Sequence, residues 1–426
     1  MSFSKFEFGP HIVEAINRCG FSQPTPIQAQ SIEPILAGRD LLGLAQTGTG
    51  KTAAFILPTV QQLLARPARH VRMLIVAPTR ELAEQIHEFT VSVTEGSSLR
   101  SVVVYGGVSK NVQAGKLRKG VDIVVACPGR LLDLVQDRAV DLSRVEHLIL
   151  DEADHMFDKG FLPDIRRILK LLPGKRQSLL FSATMPKEIR HLADEILSNP
   201  VTVQIDRITP TSTVEHALYK VEQKQKTQLL VELLGNKELS TTLVFTRTKH
   251  KAKNLATQLD SKGYKAVALQ GNMSQSRRQQ ALDGFKDGTY NILVATDIAA
   301  RGIDVTGISH VINYDIPDTA EAYIHRTGRT GRAACTGEAF TFATGEENRI
   351  VQMIEKSLGS VLERRMVDLP AMTEPVRERA GSGERRQQPR ESAGKRTTSR
   401  PAAKSRRNRT APQGVFGLTA RGKQGN

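Results

Sequence analysis

Short, mostly apolar runs at residues 41–44, 73–77, 102–105, 123–126, 148–150 and 179–181, and again at 241–245, 266–269, 291–295, 311–314 and 338–342, alternate with longer helix-like stretches. That alternation constrains the fold more than any other feature of the chain. A strand covered on both faces reads as an unbroken apolar run, and strands that alternate with helices pair in parallel because each crossover returns the chain to the same end. The chain is therefore expected to be α/β, with two mainly parallel sheets carrying helices on both faces. Asp206-Arg207-Ile208-Thr209-Pro210-Thr211-Ser212-Thr213 separates the two sets of runs and reads as a hinge, with one proline among three threonines. The expected organisation is a first domain over 1–205, a linker at 206–214, a second domain over 215–369 and a tail at 370–426.

Ala45-Gln46-Thr47-Gly48-Thr49-Gly50-Lys51-Thr52 follows the run at 41–44 and opens a helix-like run at 53–64. Apart from Ala45 in place of a leading glycine, this strand-loop-helix segment has the pattern of a phosphate loop. Glycines let successive N–H groups turn inward, and the N-terminus of the following helix adds partial positive charge, so the concavity suits phosphate oxygens. Lys51 is expected to reach the β and γ phosphates, and Thr52 to offer its hydroxyl to Mg²⁺. The bland alternative is a flexible Gly/Thr loop.

The apolar run His147-Leu148-Ile149-Leu150 ends in Asp151-Glu152-Ala153-Asp154. An acidic turn after a strand also describes a solvated loop or a helix cap, but ligands of parallel sheets gather at the carboxyl ends of the strands. Beside a phosphate loop, Asp151 reads as the metal-side carboxylate, acting through water because Mg²⁺ keeps much of its hydration shell; Glu152 reads as the group that orients the attacking water. His325-Arg326-Thr327-Gly328-Arg329-Thr330-Gly331-Arg332 brings the positive charge that the first half lacks. Its glycines let planar guanidinium forks aim at oxyanions, although the same run also suits a loop that only touches a nucleic-acid backbone.

Taken together these motifs resemble the DEAD-box RNA helicases, over almost all of residues 3–369. Gly20-Phe21-Ser22-Gln23-Pro24-Thr25-Pro26-Ile27-Gln28 is similar to the family's adenine-reading segment, with Phe3 at the upstream aromatic position. The resemblance implies two tandem RecA-like domains and an ATP site formed by Phe3, Phe21, Gln28 and the loop 45–52, with Asp304 on the ribose. Pro78-Thr79-Arg80-Glu81-Leu82, Gly106-Gly107 and Pro128-Gly129-Arg130 are similar to the first-lobe elements that hold the RNA backbone. Cys127 replaces the family's usual threonine before Pro128, a departure expected to tune affinity. In the second half, Phe245-Thr246-Arg247, Gln275 with Arg278, Ala295-Thr296-Asp297 and Ala300-Arg301-Gly302-Ile303-Asp304 resemble the remaining RNA and coupling elements. RNA contacts are thereby implied for Thr246, Arg247, Gln275, Arg278, Thr296 and Gly302. Ser182-Ala183-Thr184 is similar to the element that links hydrolysis to strand separation, though such a pair is also ordinary helix-cap chemistry. Arg329 and Arg332 match the finger positions, while Asp154, His325 and Arg326 match groups that link the lobes. The compact first half and basic tail resemble the bacterial RhlE-like branch.

What the resemblance implies is an enzyme that hydrolyses ATP to ADP and phosphate with Mg²⁺ and closes two lobes on RNA. Short duplexes would be unwound locally, or RNA–protein complexes remodelled, with little sequence preference because backbone contacts carry none. Ribosomal precursor particles or RNA-degradation machinery are the implied partners of a monomeric core. Two other readings stay open: a DNA helicase or translocase, and an RNA chaperone or annealer that works through the tail.

The formal net charge is +16, and from residue 371 onward fourteen Lys and Arg stand against four Glu, a net +10. That segment has too few large apolar residues to offset ordering entropy and is expected to be disordered, tethering RNA by counterion release. Val415-Phe416-Gly417-Leu418 is a small apolar island within it. Cys19, Cys127 and Cys335 are too few and too scattered for a disulfide framework or a zinc site. No apolar run approaches the ~20 residues of a membrane span, and no signal-peptide pattern opens the chain, so a cytoplasmic location is expected.

Overall fold

Met73–Val76, Ile123–Ala126 and His147–Leu150 are buried at every residue, as strands with helices on both faces must be. They belong to a computed structural model that describes residues 2–46, 48–66, 68–205, 214–235, 240–300, 307–331 and 336–367. The expected hinge at 206–213, the whole tail at 370–426, Cys335 and the sites Thr47, Gly302, Asp304 and Arg332 lie outside the described residues.

The first sheet contains β1 (Leu41–Leu44), β2 (Met73–Val76), β3 (Ser101–Val104), β4 (Ile123–Ala126), β5 (His147–Leu150), β6 (Gln177–Ser182) and β7 (Val201–Gln204). The second contains β8 (Val214–Lys220), β9 (Thr242–Phe245), β10 (Ala266–Leu269), β11 (Ile292–Ala295), β12 (His310–Asn313), β13 (Gly337–Ala343) and β14 (Glu363–Arg365). Their orders are β3-β4-β2-β5-β6-β1-β7 and β10-β11-β9-β12-β13-β8-β14, so the second repeats the first with every strand number raised by seven. Every pairing is parallel. The α/β expectation thus holds, with β7, β8 and β14 as strands that the apolar pattern does not announce. β7 and β14 are edges, where only part of each strand is covered; β14 is wholly charged and rests on β8, with Arg365 paired to Glu338 and Glu363.

Alternate side chains of the first sheet enter two separate cores. Ile75, Val125, Ile149 and Phe181 face one, and Leu74, Val124, Leu148 and Leu180 the other. Full burial of each such side chain is worth roughly 1.5–3 kcal/mol, and the result is a rigid base for loops at the carboxyl ends. β5, β6 and β1 are neighbours, in the register Leu150 to Leu180 and Leu44 to Ser182. The loops after these three strands are therefore brought side by side.

Arg72 tightens the opposite end of this sheet. Its guanidinium is buried, donating to both carboxylate oxygens of Glu146 at 2.8 and 3.0 Å, to the Leu63 carbonyl at 3.0 Å and to the Arg66 carbonyl. It thereby satisfies carbonyls at the end of the helix Lys51–Leu64, where positive charge is favoured. The hydrogen bond from Arg72 holds the Glu146 carboxyl below its usual range, against its burial.

By topology, the helix Lys226–Leu234 after β8 is the counterpart of the helix Lys51–Leu64 after β1. Both open with Lys-Thr. Lys226 is sealed from solvent, with Nζ 3.3 Å from the Phe342 carbonyl oxygen and 3.7 Å from Glu347 Oε2.

Candidate nucleotide and nucleic-acid site

Gly50 shapes the loop that follows β1. It takes φ +87°, and a Cβ there would stand 2.5 Å from Gln28 Nε2. Gln28 is buried and uses both ends of its amide: Nε2 donates to the Gly50 carbonyl at 3.1 Å, and Oε1 accepts from Thr25 N–H at 3.0 Å. The segment expected to read adenine therefore also holds the phosphate loop. Ala45 is buried and its N–H donates to the Ser182 carbonyl, while Thr49 Oγ1 donates to the Gln46 carbonyl at 2.7 Å. Gly48 is exposed. The helix begins at Lys51, two residues before the apolar run, which puts Lys51 and Thr52 in a first turn whose N–H groups lack helical acceptors. Lys51 Nζ donates to the Ala45 carbonyl at 3.0 Å. Phe3 is drawn into the core, stacked on Phe21 with ring centroids 6.3 Å apart, and Phe21 tilts against Phe89 at 6.0 Å.

Asp151, Glu152 and Asp154 are all buried. Burial pushes the Asp151 carboxyl up to about 6 against the pull of Lys51. Burial acts in the same direction on Glu152, but the hydrogen bond with His155, together with Lys51 and Arg329, overrides it and holds that carboxyl at about 2. Asp154 serves the next loop: Oδ2 accepts from Ala183 N–H at 3.2 Å, Thr184 N–H at 2.9 Å and Thr184 Oγ1 at 2.9 Å. Ser182 Oγ accepts from Asp154 N–H at 3.2 Å and donates to the Thr184 carbonyl at 2.8 Å. The acidic turn and Ser182-Ala183-Thr184 are thus one hydrogen-bonded unit.

The second lobe reaches this unit. Glu152, Asp154, His155, Asp158 and Ala183 share a cavity of about 30 Å³ with His325 and Arg329, a space that suits one or two water molecules with polar partners. His325 and Arg329 lie four residues apart, so the turn that ends the helix Ala320–Thr327 presents them together, and Arg329 Nε donates to the His325 carbonyl at 3.3 Å. Arg326 departs from its expected lobe-linking place. One residue on, it faces inward: its guanidinium is paired at 2.6 and 2.7 Å with Asp297 and bonded to Asn313 Oδ1 and the Asp315 carbonyl, all in the second lobe.

Of the residues expected to meet RNA, Arg80 is half-buried and lies across Gly107, whose φ of +88° and lack of Cβ permit the approach; a Cβ would collide with the guanidinium. Gly106 is half-buried beside it, and Gly129 is exposed. Arg80 Nη1 donates across the lobes to Gln275 Oε1 at 3.3 Å. Arg130 Nη1 donates to the Val108 carbonyl, and Arg247 is exposed and bonds Asp318. Others are occupied by the protein itself. Pro78 is buried, Thr79 Oγ1 caps the helix Arg80–Thr94, Thr246 Oγ1 donates to the Thr248 carbonyl at 3.4 Å, and Thr296 is buried. Arg278, expected on RNA, is instead buried against Glu81 of the first lobe, Nε to Oε1 2.8 Å. Cys127 opens the helix Pro128–Gln136, and burial pushes its thiol up to about 12.

Glu81, Asp297 and His155 are the partners that motif reading leaves without a role. Spacing alone points to His155, three residues after Glu152 on a short helix.

The family description DEAD/DEAH box helicase matches residues 25–192, and Helicase conserved C-terminal domain matches residues 225–334. The ATP-dependent RNA helicase CshA of Listeria monocytogenes is 43% identical over 372 residues, 87% of this chain and 71% of that protein. The DEAD-box ATP-dependent RNA helicase RhpA of Helicobacter pylori is 39% identical over 374 residues, 88% of this chain and 75% of that one. Among solved structures, S. cerevisiae Dbp5 bound to RNA and ADP BeF3 is similar at a TM-score of 0.77 and 29% identity, covering 86% of this chain and 95% of that one.

Proposed function

The chain belongs to the DEAD-box family of ATP-dependent RNA helicases, with two tandem RecA-like domains, and from that premise we propose how its own residues divide the work. The phosphates of ATP lie in the loop 45–52, against Lys51 and the first N–H groups of the helix that it opens. Gln28 reads the adenine edge, with Phe3 and Phe21 behind it, so base identity is felt at Gly50 through the same amide. Thr52 and Asp151, one hydroxyl and one carboxylate, would hold Mg²⁺; that donor set fits a hard cation that keeps its waters. When bound, the ion neutralises phosphate charge.

Glu152 orients the attacking water, and Arg329 meets the charge that develops on the transferred phosphate, with Arg332 as the second finger and Asp304 on the ribose. Positioning and charge neutralisation are most of what phosphoryl transfer requires. Asp154 passes the state of the site to Ser182 and Thr184. The RNA backbone lies across Arg80, Gly106, Gly107, Gly129 and Arg130 of the first lobe and Arg247 and Gly302 of the second, with Pro78, Thr79, Thr246 and Thr296 shaping that surface from beneath. Gln275 and Arg278 act from the lobe contact. Short RNA duplexes are opened, or RNA–protein complexes remodelled, as the lobes close, and 2′-hydroxyl contacts favour RNA over DNA.

The observation that carries this reading is the shared cavity of about 30 Å³ in which Glu152 and Arg329 meet. Glu152→Gln is expected to keep ATP and RNA binding and lose hydrolysis; near-normal turnover would reject the assignment. Arg329→Ala separates unwinding, which is expected to fail, from strand annealing, which would survive in a chaperone working through the tail. ATPase stimulation by RNA and DNA of the same sequence tests the nucleic-acid preference.

Finer parts of the proposal are a monomeric core, a cytoplasmic location, an RhlE-like affiliation and service on ribosomal precursors or in RNA degradation. No helix among the described residues is long and apolar enough to cross a membrane. The basic composition of 371–426 supports an RNA tether; removing those residues is expected to flatten the salt dependence of RNA binding.

A further inference from the structure

Among the described residues, four non-glycine residues take positive φ: Glu7, Arg138 and Asn199 are exposed, and Glu152 is buried. A left-handed backbone at a residue with a side chain is strained and persists where its surroundings over-determine it, which is common at working sites. At Glu152 the N–H donates to Asp151 Oδ1 at 2.9 Å, and the carbonyl accepts from Met156 N–H at 3.1 Å. Those bonds hold the peptide. The carboxylate needs its own partner.

His155 is that partner. It stands on the first turn of the helix Ala153–Asp158, for which Glu152 is the N-terminal flanking residue, and its Nδ1 lies 3.3 Å from Glu152 Oε2. Both side chains are nearly sealed, 6% and 9% exposed, so solvent does not readily replace the ring as a donor. A carboxylate only accepts, so Nδ1 carries the proton in this contact. Both residues also line the cavity that Arg329 enters from the second lobe.

We propose that His155 is a positioning residue for ATP hydrolysis, pinning one oxygen of Glu152 so that the other is presented to the attacking water. The inference rests on the reading of Glu152 given above. Without the ring, the carboxylate of Glu152 can turn about its side-chain bonds, and reacting groups misplaced by even an ångström lose rate steeply. ATP binding does not pass through this contact and is unaffected.

The test is RNA-stimulated ATPase of the full chain. His155→Leu is expected to lower kcat about tenfold or more, on the scale found when a partner that orients a functional ligand is removed. KM for ATP is expected to stay within about twofold, the pattern of an interaction felt only in the transition state. His155→Asn carries its Nδ2 the same number of bonds from Cα as the ring Nδ1 and is expected to recover most of the rate. In a Glu152→Gln background, adding His155→Leu is expected to change nothing further, because no carboxylate remains to be positioned. If His155→Leu does not fold, His155→Ala takes its place in the same comparisons. A wild-type kcat in the folded leucine or alanine variant overturns the proposal. So does a joint fall in kcat, ATP affinity and thermal midpoint that asparagine does not repair. Full turnover by Glu152→Gln alone is a different failure, that of the underlying reading of Glu152.

Discussion

Arg278 and Glu81 stand on different lobes and form an ion pair, Nε to Oε1 2.8 Å, with side chains 8% and 6% exposed. Arg278 also donates to the Gln270 carbonyl, so the pair fastens Glu81 to a fixed point of the second lobe. Removing one partner of a sealed pair strands the other, at a cost of about 3–5 kcal/mol. Glu81→Ala is therefore expected to disfavour the closed arrangement and depress RNA-stimulated ATPase, while nucleotide binding to the first lobe persists. Energy transfer between dyes on the two lobes, with ATP and RNA present, measures it; an unchanged signal rejects the role.

Asp154 accepts three hydrogen bonds at one oxygen from Ala183 and Thr184 and one at the other from His155 N–H. In Asp154→Asn either orientation of the amide points a donor at a donor. Duplex opening is expected to fall by about tenfold or more, since loss of even one or two charge-assisted bonds spans that range. ATP binding is expected to remain. Strand-displacement and nucleotide-binding assays on the same preparation separate the two, and equal losses in both would contradict the coupling.

Gly50→Ala forces a Cβ into a φ of +87° and within 2.5 Å of Gln28 Nε2. The left-handed backbone alone costs about 1–2 kcal/mol, so ATP affinity is expected to weaken by about tenfold. Titration with a fluorescent ATP analogue reads the change. Wild-type affinity would show that Gln28 and the loop do not depend on each other.

The central strands were legible because burial on both faces leaves an unbroken apolar run, as at Met73–Val76 and Ile123–Ala126. Val201–Gln204 and Glu363–Arg365 escape that signal because edge strands need no such run; Val214–Lys220 escapes it because Glu215 and His216 interrupt the pattern. In the site, the motif residues of the loops were readable by type and spacing, but their partners, His155 apart, were not. Helix phase explains Arg326: a step of about 100° from His325 turns it from the cavity toward Asp297. Reading that run as a helix end, instead of a string of arginines, separates the inward residue from the pair at four-residue spacing. The pairing of Arg278 with Glu81 joins residues 197 apart, and nothing local in either segment announces it.

Arg72 supports a prediction about stability. In Arg72→Met the Leu63 and Arg66 carbonyls and the Glu146 carboxylate all lose the guanidinium; Leu63 keeps the Arg66 N–H and Glu146 the more distant Arg66 side chain. Glu146 is 38% exposed, so its charge is partly screened, and the cost comes mainly from the carbonyls, about 1–3 kcal/mol. The folded Glu146 carboxyl lies below its unfolded value of about 4.3. Its contribution is therefore present above that value and lost as pH falls through the lower, folded one. Thermal melts from neutral to acid pH are expected to show a shallower acid loss in the methionine variant; parallel curves would remove Arg72 from the account.

The repeated strand order gives the molecule two equivalent places at which a helix opens with Lys-Thr, yet the residues 221–225 before Lys226 contain no glycine, and Lys226 already has the Phe342 carbonyl and Glu347 beside it. The lysine of the second half is thus already held by the protein's own oxygens. The duplicated architecture is chemically lopsided: one half is a socket, the other a plug wired shut from within. Among the described residues, the glycine-shaped loop and a helix-opening lysine then come together in the first half alone, and the second half keeps the architecture without the phosphate chemistry.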